Sequence, residues 1–318
     1  MKRSVIARVR GRAHPDGITI YPVERLGNQL FIYAAGLSQA HRLNVPCYVN
    51  CGFYQPGGPE KLYRKSYDLA RFDSGLVVPE SSDYHQPLIF GDPASEKGGY
   101  WYNKVAPKLH GAVSPVFREQ TFTFDERINE VTSGTTLSGY FQSFKYFGEI
   151  ADEIRTRILS PTTPSDWCLL MQRRITPGSG SVVLNLRRGD YALSRHLQFH
   201  GLVGRDYYVR SLNLLRRLGL DGPVYVASDS LDEAMGLLKG TGELIPIEPP
   251  PDVNPFDVLQ LLARADGFVA ANSTFSWWAG FLGDKEGHVV VAPRPWFTNG
   301  HVDTRDLLPP GWLTIDRE

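Results

Sequence analysis

The second half of the chain alternates between short apolar runs rich in β-branched residues and longer segments with helical spacing. "SVVLNLR" (181–187), "PVYVASD" (223–229), "ELIPIE" (243–248), "FVAAN" (268–272) and "HVVVAPR" (288–294) read as strands. Between them, "RDYYVRSLNLLRRLG" (205–219), "LDEAMGLLKG" (231–240), "NPFDVLQLLARADG" (254–267) and "STFSWWAGFLG" (273–283) read as helices. The helices end at glycines. Two of them open on capping residues, Asn254 followed by Pro255 and the pair Ser273–Thr274, where the unpaired N–H groups of a first turn need acceptors. A strand apolar on both faces needs cover on both, and a helical crossover makes consecutive strands parallel. The pattern therefore predicts an α/β fold built on a parallel sheet.

The first half opens in the same way. "ITIYPV" (18–23) reads as a strand, "NQLFIYAAGLSQAHRL" (28–43) as a helix and "VPCYVN" (45–50) as a second strand. "YFGEIADEIRTRIL" (146–159) reads as one long amphipathic helix, and "SPTTPSD" (160–166) as a linker. The chain has 318 residues, a length that suits two domains. We expect an N-terminal Rossmann-like domain over 1–165 and a C-terminal one over 175–318. Residues 51 to 130, rich in Gly, Pro, Tyr and Ser, give no assignment. Tyr54, Tyr100, Trp101 and Tyr102 in that region can stack on a sugar, although aromatic residues more commonly pack in cores.

Charge is balanced, with 34 Lys+Arg against 34 Asp+Glu, which argues against a general nucleic-acid binder. The three cysteines, Cys47, Cys51 and Cys168, lack companions at zinc spacing and read as small buried residues. An odd count without a disulfide framework fits a reducing compartment. Arg8 and Arg10 interrupt any signal-peptide core, and the apolar stretch 261–282 carries Arg264, Asp266 and Asn272. The expectation is a soluble, cytoplasmic protein without a membrane span.

Polar clusters fall after the predicted strands: "RRGDY" (187–191), "SDS" (228–230), "EPPPD" (248–252), "NSTFS" (272–276) and "PRPW" (293–296). In an open parallel sheet, ligands bind beyond the C-terminal strand ends. Tandem arginines at the mouth of a buried strand call for an anion, and a guanidinium fork together with a helix N-terminus matches a diphosphate. Arg187 or Arg188 with Ser273 and Thr274 could hold both phosphates of a sugar nucleotide, with Asp229, Asn272 and Ser276 in the same loops. A salt bridge from one arginine to Asp190 is the competing use. Gly189 is expected to let the turn reverse sharply. In the first half, "ERLGNQLF" (24–31) offers a freed backbone at Gly27 and amides at Asn28 and Gln29; Asn28 as a plain helix cap is the alternative. Neither a P-loop nor a G-x-G-x-x-G fingerprint occurs. Two such halves suggest a cleft between two Rossmann-like domains.

Taken in order, "RLGNQLFIYAAGLSQA" (25–40), "SYDLARF" (66–72), "LSGYFQSFKYF" (137–147), "LRRGDY" (186–191), "HGLVGRDYY" (200–208), "ANSTFSWWAGFL" (271–282) and "VVVAPRPWF" (289–297) resemble the α-1,2-fucosyltransferases of glycosyltransferase family 11. The resemblance implies a GT-B-like fold, a GDP-sugar donor, usually GDP-L-fucose, and inverting transfer without a metal. It assigns the phosphate-contacting arginine to Arg187, loop orientation or nucleoside contact to Arg188 and Asp190, and the donor's phosphate or reacting sugar to Asn28. Arg187, Asp190 and Asn28 form the candidate catalytic set. Two positions depart from the family pattern. Asn185 stands where histidine is common, and Ser230 where a second acid is frequent.

Transfer of fucose or a related hexose to a glycan or small-molecule hydroxyl is the leading expectation, with Asp190, Asp229, Glu248 and His200 as candidate bases. Neither Asn185 nor Ser230 can act as a base near neutral pH. Asn185 can still replace a histidine that only orients the arginines, because it donates and accepts hydrogen bonds. The alternative is a GDP-sugar pyranose–furanose mutase, which needs no acceptor and for which a divalent cation is possible. A non-catalytic GDP-sugar or glycan binder is a third class.

Overall fold

In the computed structural model the described residues are 14–54, 66–78, 115–160, 163–189, 200–298 and 302–317. The chain gathers into two compact units: Met1–Ile154 with Arg305–Leu307, and Arg155–Thr304 with Leu308–Glu318. Both are α/β, and every pairing in both sheets is parallel.

The first unit contains β1 (Ile18–Ile20), α1 (Leu26–Leu43), β2 (Cys47–Val49), β3 (Val116–Arg118) and β4 (Thr136–Ser138). Its sheet has the order β2-β1-β4-β3. Helix α1 starts two residues before the sequence expectation, with Arg25 at its N-cap and no side chain capping it. Asn28 therefore lies inside the first turn, which removes its role as a cap. The left-handed residue of the preceding loop is Glu24, at φ 68°, while Gly27 is helical. At the other end Asn44 adopts the left-handed conformation and its N–H closes the helix on Ala40 and His41.

The expected helix over 146–159 is divided. Short 3₁₀ turns at Phe144–Tyr146 and Gly148–Ile150 precede α2 (Ala151–Leu159), and Phe147 between the turns is non-helical. A glycine at 148 costs a helix interior backbone entropy, so the regular helix begins only after it.

The second unit contains α3 (Asp166–Gln172), β5 (Val182–Leu186), α4 (Arg205–Arg217), β6 (Val224–Ser228), α5 (Leu231–Leu237), β7 (Ile245–Pro246), α6 (Pro255–Leu262), β8 (Gly267–Val269), α7 (Thr274–Gly283), β9 (Val289–Arg294) and β10 (Leu313–Asp316). Its sheet runs β10-β9-β8-β5-β6-β7. All five residues of β5 are buried, as a central strand covered on both faces requires. Helix α4 lays Tyr207, Tyr208, Leu212 and Leu215 against Val182, Leu184, Val224, Val226 and Val269. The Tyr207 hydroxyl, with its one proton to donate, lies within hydrogen-bond reach of the carbonyls of Ala270 (2.8 Å) and Val291 (3.0 Å), so a deeply buried polar group is satisfied at the ends of β8 and β9.

Asn254 accepts the Phe256 N–H and Ser273 the Ser276 N–H, as their sequence positions predict. Helix α6 stops at Leu262 rather than running to 267. Asp266 beyond it turns back, and its carboxylate accepts the N–H groups of Gly178 (2.7 Å), Gly180 (2.8 Å) and Ser181 (3.2 Å) just before β5. The three cysteines are free and buried, as expected.

Candidate functional site

The strand orders locate a candidate edge in each unit. In the second sheet β5 continues to β6 on one side and borders β8 on the other, so the order reverses between β5 and β8. Loops leave a parallel sheet in opposite directions at such a switch point and open a crevice there. The loop after β5 carries Arg187, Arg188 and Gly189; the segment after β8 carries Asn272, Ser273 and Thr274. In the first sheet the reversal lies between β1 and β4. Asn28 follows β1, Gln142 follows β4, and Gln142 Nε2 donates to Asn28 Oδ1 at 3.1 Å.

Asp229, after β6, organises the arginine loop. Its Oδ1 accepts the Arg188 N–H at 2.7 Å, and its Oδ2 lies 3.1 Å from Arg187 Nη1. The Arg187 side chain is 21% exposed, so its guanidinium is held at the edge and not sealed beneath it. Gly189 is required here for space. Its φ is not in the left-handed region, but a Cβ would come 2.7 Å from Asp229 Oδ2. Asp190 lies outside the described residues, and Asp229 is the acid seen against Arg187.

Arg188 turns inward. It is buried, and its Nη2 donates to the Val203 carbonyl at 2.7 Å. Asn272 does similar work from β8: Nδ2 reaches the carbonyls of His200 (2.7 Å), Gly201 (3.1 Å) and Trp296 (3.2 Å). The hydroxyls of Ser273 and Ser276 close the first turn of α7, Ser273 by capping and Ser276 by accepting the Ala271 N–H at 2.8 Å. Ser276 is fully buried, whereas Thr274 is half-buried. Arg187 and Thr274 thus keep partial exposure, while Arg188, Asn272, Ser273 and Ser276 spend their polar groups on neighbouring backbone.

In the first unit Gln29 is fully buried and all its hydrogen-bonding groups point to the fold. Nε2 donates to the carbonyls of Glu24 (3.1 Å) and Ser66 (2.7 Å), and Oε1 accepts the N–H groups of Asp68 (2.8 Å) and Leu69 (3.3 Å). It locks the 66–72 segment onto α1. Tyr54 donates its hydroxyl to the Glu24 carbonyl at 2.8 Å and so steadies the left-handed residue before α1. Tyr100, Trp101 and Tyr102 lie outside the described residues.

Asn185 is buried within β5, and its Nδ2 donates to the Ala227 carbonyl on β6 at 3.3 Å. The side chain thus ties two strands together. Ser230 precedes α5 without capping it through its side chain. Glu248 is exposed, and His200 is half-buried with its ring 5.3 Å from that of Phe297.

Two groups escaped the sequence reading. Arg317, buried after β10, donates Nη1 to the carbonyls of His200 (2.9 Å) and Trp296 (3.3 Å). Glu119, buried after β3, accepts the N–H groups of Tyr140 and Phe141, each at 2.8 Å. The only sequence signal for either is a charge next to a short strand. Among the described residues no group of three or more His, Cys, Asp or Glu is gathered as a metal centre, and no helix is long and apolar enough to cross a membrane.

The profile of glycosyl transferase family 11 matches residues 129–316. The α-1,2-colitosyltransferase of Escherichia coli is 26% identical over 299 residues, which cover 92% of this chain and 96% of that protein. The O-antigen biosynthesis glycosyltransferase WbnK of Escherichia coli is 25% identical over 316 residues, covering 91% of this chain and 97% of that protein. Among solved structures, a mutant of Arabidopsis thaliana FUT1 in complex with GDP superimposes with a TM-score of 0.48 and 13% identity, covering 89% of this chain and 72% of that one. With this family profile matching more than half of its length, the chain is a glycosyltransferase. It belongs to glycosyl transferase family 11.

Proposed function

We propose that this chain transfers L-fucose, or a related hexose, from its GDP-sugar to a hydroxyl of a glycan or small molecule, with inversion and without a cofactor. The observation that carries this reading is Arg187 at the β5–β8 switch point, its guanidinium held by Asp229 at 3.1 Å and still partly open to solvent. A fork fixed in this way can take diphosphate oxygens bidentately. It strengthens its hold as charge accumulates on the departing GDP, which stabilises the transition state more than the bound donor. Thr274, at the start of α7, adds a hydroxyl at the positive end of a helix.

The two expected domains, 1–165 and 175–318, divide the work in this reading. The C-terminal one binds the donor, and the N-terminal one presents Asn28 and the acceptor side. Asp229, already engaged by Arg187 and the Arg188 N–H, serves as an organiser of the loop; Asp190, Glu248 and His200 stay as candidates for the base. One of the relatives, the α-1,2-colitosyltransferase of Escherichia coli, supports an α-1,2 linkage. No observation favours the mutase or the non-catalytic binder.

Replacing Arg187 by Ala is expected to lower kcat by about two to three orders of magnitude, the scale set by removing one strong donor to a developing charge. The assay is release of GDP from GDP-fucose in the presence of a galactoside acceptor. Near-normal turnover in Arg187→Ala would overturn the assignment.

A further inference from the structure

Three buried side chains from three different strand ends converge on one short segment, residues 200–203. Arg188, after β5, donates to the Val203 carbonyl; Asn272, after β8, donates to those of His200 and Gly201; Arg317, after β10, donates to that of His200. Arg317 is also anchored through its backbone, whose N–H donates to the Arg294 carbonyl at 3.0 Å in line with the parallel β9–β10 pairing.

We propose that Arg317 is a positioning residue of the donor site. Its guanidinium bridges the His200 and Trp296 carbonyls and so fixes the segment on which the Arg188 side chain is docked.

Three observations support this. First, one nitrogen, Nη1, reaches both carbonyls, and Asn272 Nδ2 reaches the same two, so 200–201 and 296 are joined by two independent donors. Second, the segment is moulded around the arginine. Gly201 has φ 64°, and a Cβ there would lie 2.3 Å from Thr298 Cγ2 and 2.8 Å from Arg317 Nη2. Only glycine reaches that backbone conformation without strain and leaves room for the guanidinium. Third, Arg188 and Arg317 both act on one buried group, the Tyr208 hydroxyl, whose pKa is raised by burial and opposed by these two charges. Tyr208 in turn donates to the Asn185 carbonyl in β5 at 3.2 Å. The two arginines thus belong to one buried network behind Arg187. The guanidinium plane fixes the directions of the two Nη1 N–H groups toward these carbonyls, whereas a lysine ammonium is a compact, rotating charge.

The inference rests on the donor reading above, and two measurements keep the two apart. Arg317→Lys retains the charge and loses the planar, fixed N–H directions of Nη1, and is expected to bind GDP about tenfold more weakly by calorimetry, a loss of about one hydrogen-bonding group's positioning. Gly201→Ala, which presses on the segment from the other side, is expected to show the same weakening. In Arg317→Ala, added guanidinium at millimolar concentration is expected to restore part of the GDP affinity, a rescue that a general loss of folding would not give. Amide exchange across residues 200–208 is expected to quicken in Arg317→Lys without nucleotide present. Wild-type GDP affinity in Arg317→Lys, or unchanged exchange over 200–208, overturns the inference. Wild-type protein that fails to bind GDP overturns the donor reading instead, and the exchange measurement still decides whether Arg317 holds the segment.

Discussion

Carboxylates in this glycosyltransferase, buried at Asp266 and Glu119 and more open at Asp229, hold loops by their backbone groups. Asp266 gathers three N–H groups before β5, Asp229 takes the Arg188 N–H after it, and Glu119 takes those of Tyr140 and Phe141 after β4. Glu119 sits where two constraints meet. Phe141 is left-handed at φ 52°, and a Cβ on Gly139 would come 2.5 Å from Glu119 Cβ. Burial pushes the Glu119 carboxyl up to about 7, opposed by the two N–H groups and by Tyr146, with Asp125 adding to the rise. The folded state therefore holds this proton over a range in which the unfolded chain has released it, so the contribution of Glu119 to stability is present below pH about 4.5 and is lost as pH rises through about 7. Glu119→Gln is expected to remove that slope. The urea midpoint of the wild type minus that of the variant should fall between pH 5 and pH 7.5, by an amount equivalent to a few kcal/mol at most. A difference independent of pH would show that Glu119 does not titrate in this window.

At the level of elements, α7 illustrates how a helix that serves the site is secured at both ends. Ser273 and Ser276 close its first turn. At its other end Arg155 donates Nε to the Phe281 carbonyl (3.0 Å), pairs with Asp284 (3.1 Å) and lays its guanidinium 4.3 Å from the centroid of the Phe281 ring. A cation at a helix C-terminus, a charge-assisted hydrogen bond and a cation–π contact act together. Arg155→Ala is expected to destabilise the protein by about 1–3 kcal/mol, read as a shift in the denaturant midpoint without a change in slope. A shift indistinguishable from zero would mean that solvent replaces all three contacts. The same element shows what sequence can reveal. The Ser-Thr start and the glycine at 283 mark both ends of α7, because capping chemistry is local. The end of α6 was not legible, because Asp266 leaves the helical pattern to bond residues more than eighty positions earlier in the chain.

Over the whole molecule, the donor reading makes a thermodynamic demand. A ligand bound only to the folded second unit stabilises that unit by RT ln(1 + [L]/Kd), about 2.7 kcal/mol at a hundred times Kd. GDP is expected to raise the melting temperature of the transition that reports β5–β10 and to leave any separate transition of β1–β4 in place. Calorimetry on the intact chain checks this, and a shift confined to the first unit would move the nucleotide site there. The class of fold and most of the candidate residues are legible locally in the chain. Periodicity and caps set the strands and helices from β5 to β9, because hydrophobic patterning and helix-end chemistry are written within a few residues. Strands β3, β4 and β10 escaped, being short or half-exposed, with too few buried residues to leave a pattern. Long-range packing alone sets the strand order, and with it the switch points after β5 and β8 and the Asn28–Gln142 contact after β1 and β4. It also separated the arginine turned toward the edge from the one buried behind it, and brought in Arg317 from more than a hundred residues beyond His200. Strand order and burial are set by long-range packing of many weak contacts, and no local stretch of sequence carries them.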